Sequence, residues 1–210
     1  MNYKLSNVAS KTMLEDFTKL KLKHPNIYKP KLKIDGRKEQ TISVITIENT
    51  NEITYGIWGI LPQGFKEDWS KFQKIKRTLH VYKEDVFTNI LYKKSLSKRR
   101  CLILVTGFYM HKLSENYVEN FLVEKKNQQP FYLAGIYNKT EDGFITCSVI
   151  NTKANKKLNA INNLYEVMPL QIPEIFKNKW LSASTALEDI KFLISKPYAT
   201  KFSVQKIAAR

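Results

Sequence analysis

The chain has 210 residues, 43% of them hydrophobic and 12% aromatic, which is enough to bury a core and too apolar for a disordered polymer. Thirty-five lysines and arginines against 19 acids give a formal charge of +16, a balance that points to a polyanionic partner and above all to nucleic acid. No apolar run reaches a membrane span, the start MNYKLSNVASK lacks the apolar centre of a signal peptide, and two cysteines are too few for a disulfide framework; a cytoplasmic protein with reduced thiols at Cys101 and Cys147 is expected.

In chain order, residues 10–23 show the spacing of an amphipathic helix, with Ser10 or Thr12 as cap and Met13, Leu14, Phe17 and Leu20 on the apolar side. TISVITI (41–47) and EITYGIWGI (52–60) read as strands joined by the turn-prone NTN. Residues 65–77 are mixed, loop or helix, and 84–97 are helical through Val86, Ile90 and Leu91. RCLILVTGFYMH, YVENFLVEK, PFYLAGIY, GFITCSVIN and KFSVQKI follow as strand candidates, with helical patterns at 155–166 and 184–194. Strand runs broken by short helices predict an α+β fold around a mainly antiparallel, barrel-like sheet, in a single domain over residues 1–210.

The common catalytic signatures are missing. No G-K-[ST] occurs, His24, His80 and His111 share no zinc-ligand spacing with the cysteines, and there is no G-x-S-x-G elbow. His80 and Glu84, four apart, fit a surface pair better than an acid–base pair. The sequon at Asn138 is incidental in a cytoplasmic chain. Basic residues cluster at 19–23, 28–33, 71–77, 93–100 and 153–157, as phosphate contacts would require. No cofactor and no metal are expected.

One order of segments is specific. WGILP (58–62), RRCL (99–102), GFY (107–109), PFYLAGIY (130–137), T-x-A-N (152–155), MP (168–169) and WL (180–181) follow one another. In that order they resemble the SRAP family, the SOS response-associated peptidases that process abasic sites in single-stranded DNA. YKPKLKIDGRKEQTISVIT resembles that family's Y-x-P-x-Y-N-I-A-P-T-Q…V-I-T segment. The resemblance implies one α+β domain with a barrel-like β-structure and a positively charged cleft. It also implies a mechanism with four groups: a cysteine after the initiator methionine, an Asn in N-A-R-x-E-T, a Glu directly after GFY, and a His before R-M-P. The cysteine's amine and thiol would trap a ring-opened sugar aldehyde as a thiazolidine, and the others would place or shuttle protons.

Carried over position by position, these groups fall on inert residues. M-C-G-R-Y-S lies on MNYKLS, so the nucleophile position is Asn2. N-A-R-x-E-T lies on HVYKED, where the Asn becomes His80 and only Glu84 is kept. The Glu after GFY is Met110, and the His position is Tyr165, or Asn162 with a small shift. Self-excision of the chain start is not expected without the thiol. The binding equipment is the part retained: Lys4 where the family has a phosphate-contacting Arg, Arg77, Lys83, Arg99 and Arg100 as basic residues near the cleft, Trp58 as a stacking face, and Thr152 as a lining residue. The family's second Trp in W-G-x-x-P-x-W falls on Gly64, beside Phe65.

A degenerate SRAP protein, a pseudoenzyme that binds single-stranded or abasic DNA non-covalently as a monomer in a basic cleft, is therefore expected. Two alternatives stay open: an abasic-site crosslinking or lyase enzyme that uses an amine (Met1 or a lysine such as Lys83), and a protein-interaction module with no nucleic-acid role.

Overall fold

A computed structural model of the protein describes residues 3–195, 198 and 200–207. The elements are β1 (Lys4–Asn7), α1 (Lys11–Thr18), β2 (Lys21–Leu22), β3 (Lys31–Asp35), β4 (Thr41–Thr46) and β5 (Glu52–Trp58). Then come α2 (Trp69–Ile75), β6 (His80–Tyr82), α3 (Ile90–Lys98), β7 (Arg100–Val105), β8 (Gly107–Ser114), β9 (Tyr117–Lys125) and β10 (Phe131–Lys139). The last are β11 (Ile145–Lys153), α4 (Lys156–Asn159), β12 (Val167–Pro169), β13 (Gln171–Ile172), α5 (Lys177–Leu181), α6 (Leu187–Ser195) and β14 (Phe202–Ile207).

Two sheets organise them. One runs β14-β9-β8-β1-β3; the other runs β12-β11-β10-β7-β4-β5-β2, with β13 beside β10 and β6 beside β11. Pairing is antiparallel except where β11 meets β5 and β6, and where β2 meets β5. The reason β7 reads as an unbroken apolar run lies in its position. Cys101, Ile103 and Val105 face a cluster shared with Leu5, Ile34, Phe108 and Val123 of the smaller sheet. Leu102 and Leu104 face the opposite cluster, with Leu14 of α1, Leu96 of α3, Trp180 of α5 and Leu193 of α6. A strand covered on both sides has no polar face to alternate.

The α+β class and the antiparallel sheets are as the sequence leads one to expect; the strands lie in two sheets. Four segments differ from their predicted form. In one of them, 84–97, a 3-10 turn at Asp85–Phe87 precedes a helix that starts afresh at Ile90, where Asn89 Oδ1 accepts from the Leu91 amide. The run RCLILVTGFYMH is two strands, because at Thr106 the chain passes from one sheet to the other. The Thr106 amide donates to Ser6 O and its hydroxyl accepts from the Val8 amide. Gly107 suits that step, since a Cβ there would sit 2.9 Å from Val123 O. The first helix starts at Ser10, whose Oγ accepts from the Met13 amide, but stops at Thr18. The Thr18 hydroxyl bonds back to Leu14 O, and Lys19 turns left-handed at φ 59°. Residues 155–166 hold one helical turn rather than three, because the Asn162 amide is committed to the Tyr165 and Val167 carbonyls of the following loop.

Candidate nucleic-acid interface

Strand register places the chain start. Lys4 pairs with Asp35 and Leu5 with Ile34 across β1 and β3, while Leu5 pairs with Phe108 across β1 and β8. Leu5, Ile34 and Phe108 point into the shared core, so Lys4 and Asp35 lie on the opposite face with half-buried Tyr3 at the edge. Arg77, exposed after α2, lays its guanidinium over the Tyr3 ring, 5.1 Å from the centroid. Arg37 reaches Asp35 through Nε and Nη2 at 2.9 and 2.6 Å. That fork holds the Asp35 carboxyl below its usual range. Burial first, then Lys33 and Arg37, lower the pKa of Lys4 against the opposing pull of Asp35. The result is three cations, Lys4, Lys33 and Arg37, with one acid already paired among them, and Arg77 adjoining them across the Tyr3 ring. Such a patch lowers its own repulsion when a phosphate arrives.

His111 stands beside this patch. Its Nδ1 is 2.8 Å from Asn120 Oδ1. Burial, with Lys4 and Arg37 adding to it, pushes the imidazole pKa down, against the Asn120 hydrogen bond. Between the folded value and the ordinary value of about 6.5, the unfolded chain binds the extra proton. The folded protein is therefore expected to lose stability as pH falls through that window. In thermal melts His111→Gln should flatten the decline, whereas an unchanged slope would place its origin elsewhere.

The sequence-predicted positions separate in space. Lys4 follows Tyr3 in the chain, and Arg77 lies over the Tyr3 ring. Lys83 lies apart from them, with Nζ 3.5 Å from Ser195 O and 4.0 Å from Glu84. Arg99 is half-buried; its Nε donates to Tyr137 O and Asn138 Oδ1, and it lines a cleft of about 390 Å³ with Lys76 and Lys94. Arg100 is no surface charge. It is 0% exposed and spends its donors on backbone carbonyls. Trp58 offers no face to a base: it is 0% exposed, donates from Nε1 to Leu79 O, and abuts Gly36, where a Cβ would be 2.7 Å from its ring. Thr152 is buried too.

Of the four positions where the family resemblance places chemistry, Asn2 lies outside the described residues. His80 is buried, edge-on to Trp58 at 5.5 Å. Met110 is 0% exposed within the core between the sheets, paired with Phe121 on β9. Tyr165 is 42% exposed, and the alternative Asn162 braces its own loop. Sequence reasoning missed Lys33 and Arg37. Their signal was present: alternation along KLKID puts Lys33 on the face of Asp35, and the following turn returns Arg37 to it.

Among the described residues no helix is long and apolar enough to cross a membrane, and no three His, Cys, Asp or Glu side chains gather as metal ligands. Cys101 and Cys147 are free and fully buried, and burial pushes both thiols well above their usual range, which makes them poor nucleophiles.

Comparison with known proteins adds a lineage. The family model described as SOS response associated peptidase (SRAP) matches residues 3–210. An abasic site processing protein of Saccharomyces cerevisiae is 25% identical over 128 residues, covering 60% of this chain and 33% of that protein. The match thus spans about a third of that relative's length. Among solved structures, a protein from Bacteroides thetaiotaomicron superposes with a TM-score of 0.87 at 22% identity, over 98% of this chain and 92% of that one. A protein from Bordetella bronchiseptica gives 0.79 at 13% identity, over 99% and 100% of the two chains. A phage-related protein of the same organism gives 0.69 at 13%, over 98% and 94%. These three share the fold.

Proposed function

The chain belongs to the SOS response associated peptidase (SRAP) family, and from that premise we propose that it is a DNA-damage-related binding protein which holds single-stranded or abasic DNA without a covalent bond. The observation that carries the proposal is Met110. Directly after GFY, where the family resemblance requires a proton-shuttling carboxylate, stands a thioether sealed in the core. The phosphates are held by the cations around Tyr3: Lys4, Lys33, Arg37 and Arg77. Tyr3 is only half-buried and already stacks with one guanidinium, so it is suited to support a base or sugar beside the patch. The yeast relative's name, abasic site processing protein, is in keeping with a damaged-DNA ligand.

Four phosphates of single-stranded DNA neutralised by these side chains release counterions and give a slope of log K against log salt of about −3. Affinity should fall roughly fifty-fold between 50 and 200 mM salt on that slope. The double variant K4Q/R77Q should halve the slope, read by fluorescence anisotropy on a labelled oligonucleotide. A slope near zero, or one indifferent to K4Q/R77Q, would move the interface away from Tyr3. Incubation with single-stranded DNA carrying one abasic site should leave no conjugate on a denaturing gel. A heat-stable conjugate through the amino end would make the protein an enzyme instead.

A further inference from the structure

A cleft of about 720 Å³ is lined by none of the cations at Tyr3. It opens between α1, the connection from β9 to β10, the first residues of β10, and β13 with the chain just before β14. Its volume suits a small molecule rather than a chain. Two properties of the lining stand out.

The first is aromatic. Half-buried Phe17 and Tyr198 line the cleft, and Phe17 packs 4.9 Å, centroid to centroid, from Tyr132, which lies beneath the surface. The second is cationic. Lys125, Lys126 and Lys201 line the same cleft against a single lining acid, Glu174. None of the three lysines enters an ion pair among the described residues. Lys125 is half-buried with its ammonium 5.7 Å from the Phe131 centroid, and burial lowers its pKa. A third, independent observation points to a ligand. Tyr132 is 1% exposed and its hydroxyl finds no hydrogen-bond partner among the described residues. A buried donor left in this state costs free energy that a ligand acceptor would return.

We propose that this cleft binds a small aromatic anion of mononucleotide size, with its ring against Phe17 and Tyr198 and its phosphate or carboxylate at Lys125 and Lys201. The Tyr132 phenol stays protonated, since burial pushes its pKa up, and donates to the ligand. The site stands independently of the DNA reading, because it shares no residue with the patch at Tyr3.

The test uses 2′-deoxyadenosine 5′-monophosphate, with 2′-deoxyadenosine and inorganic phosphate as controls, titrated by calorimetry into the full chain. The monophosphate should bind with Kd below about 1 mM and each control at least tenfold more weakly, since ring and anion contribute separately. K125Q should weaken binding at least fivefold, and K4Q/R77Q should leave it unchanged. Y132F should weaken it three- to tenfold while Tm stays level or rises, because the orphaned hydroxyl is gone. The proposal is overturned by no heat at 5 mM monophosphate, by deoxyadenosine binding equally well, or by indifference to K125Q. A Y132F variant that loses Tm along with affinity would show a hydroxyl already satisfied inside the protein, and would overturn it as well.

Discussion

Arg100→Ala is expected to destabilise the protein by about 3–5 kcal/mol, a fall in Tm of roughly 10 °C for a chain of this size, while the folded fraction keeps its affinity for DNA. The cause is the set of acceptors the guanidinium serves. Nε donates to Trp180 O at 2.8 Å, Nη1 to Leu96 O and Ser97 O at 2.9 and 3.0 Å, and Nη2 to Ser182 O at 2.6 Å. Leu96 and Ser97 end α3, and Trp180 and Ser182 close α5. Their carbonyls are among those a helix leaves without internal partners, at the negative end of its dipole. One buried cation therefore caps two helices and fastens both to the first residue of β7. Burial lowers its pKa to about 10, which keeps it charged at neutral pH.

Alanine would orphan four carbonyls and open a cavity beneath the Trp180 ring, which the guanidinium approaches to 5.8 Å. Arg100→Lys should recover less than half of the loss, because one ammonium cannot span four acceptors set around a planar fork. Urea or thermal melts give the stability, and anisotropy on the folded fraction gives the affinity. R77Q should show the reverse pattern, near-native stability with weaker DNA binding. A stable R100A protein that has lost DNA would return Arg100 to the interface.

Arg99 and Arg100 show what a sequence hides. Side by side they read as one basic pair, yet β7 begins between them. Arg99 keeps a half-exposed place on a cleft wall, and Arg100 turns into the layer of helices. Hydrophobic periodicity alone locates most strands: YVENFLVEK coincides with β9 and TISVITI with β4 to within a residue. It cannot say that β7 and β8 belong to different sheets, because both are apolar and the change of partner rests on Thr106 hydrogen bonds made 98 to 100 residues away in sequence. Overlong helices have a similar origin. Thr18 and Asn162 end them by side-chain bonds to the backbone, and a pattern of apolar spacing does not register those. Trp58 was legible as an aromatic in an apolar strand, but its burial depends on Gly36 and Leu79, which lie in other segments. The cationic patch was half legible: Lys4 by the family resemblance and Arg77 by its basic cluster, Lys33 and Arg37 only through the β1–β3 register.

Met110→Glu restores in side-chain type what the family resemblance calls for after GFY, and the structure around it decides the result. Met110 shares its cluster with Phe108, Val123 and Met168, is paired with Phe121, and is 0% exposed. A carboxylate there would be ionised only at the cost of leaving water for an apolar cavity wall, so its pKa should rise well above the usual value of about 4.3. With the folded value raised, the folded chain binds more protons than the unfolded one, and stability is lost as pH climbs through and beyond the ordinary glutamate range. M110E should therefore be destabilised by about 3–5 kcal/mol at pH 8. At pH 5 the penalty should be smaller, nearer that of Met110→Gln, whose amide carries a pH-independent cost of about 1–3 kcal/mol. Tm measured at both pH values for the two variants separates charge from polarity. An M110E protein as stable as the parent at pH 8 would mean that water or a cation reaches this carboxylate. Met110 would then line an open catalytic pocket, and the non-covalent reading of the chain would lose the residue it stands on.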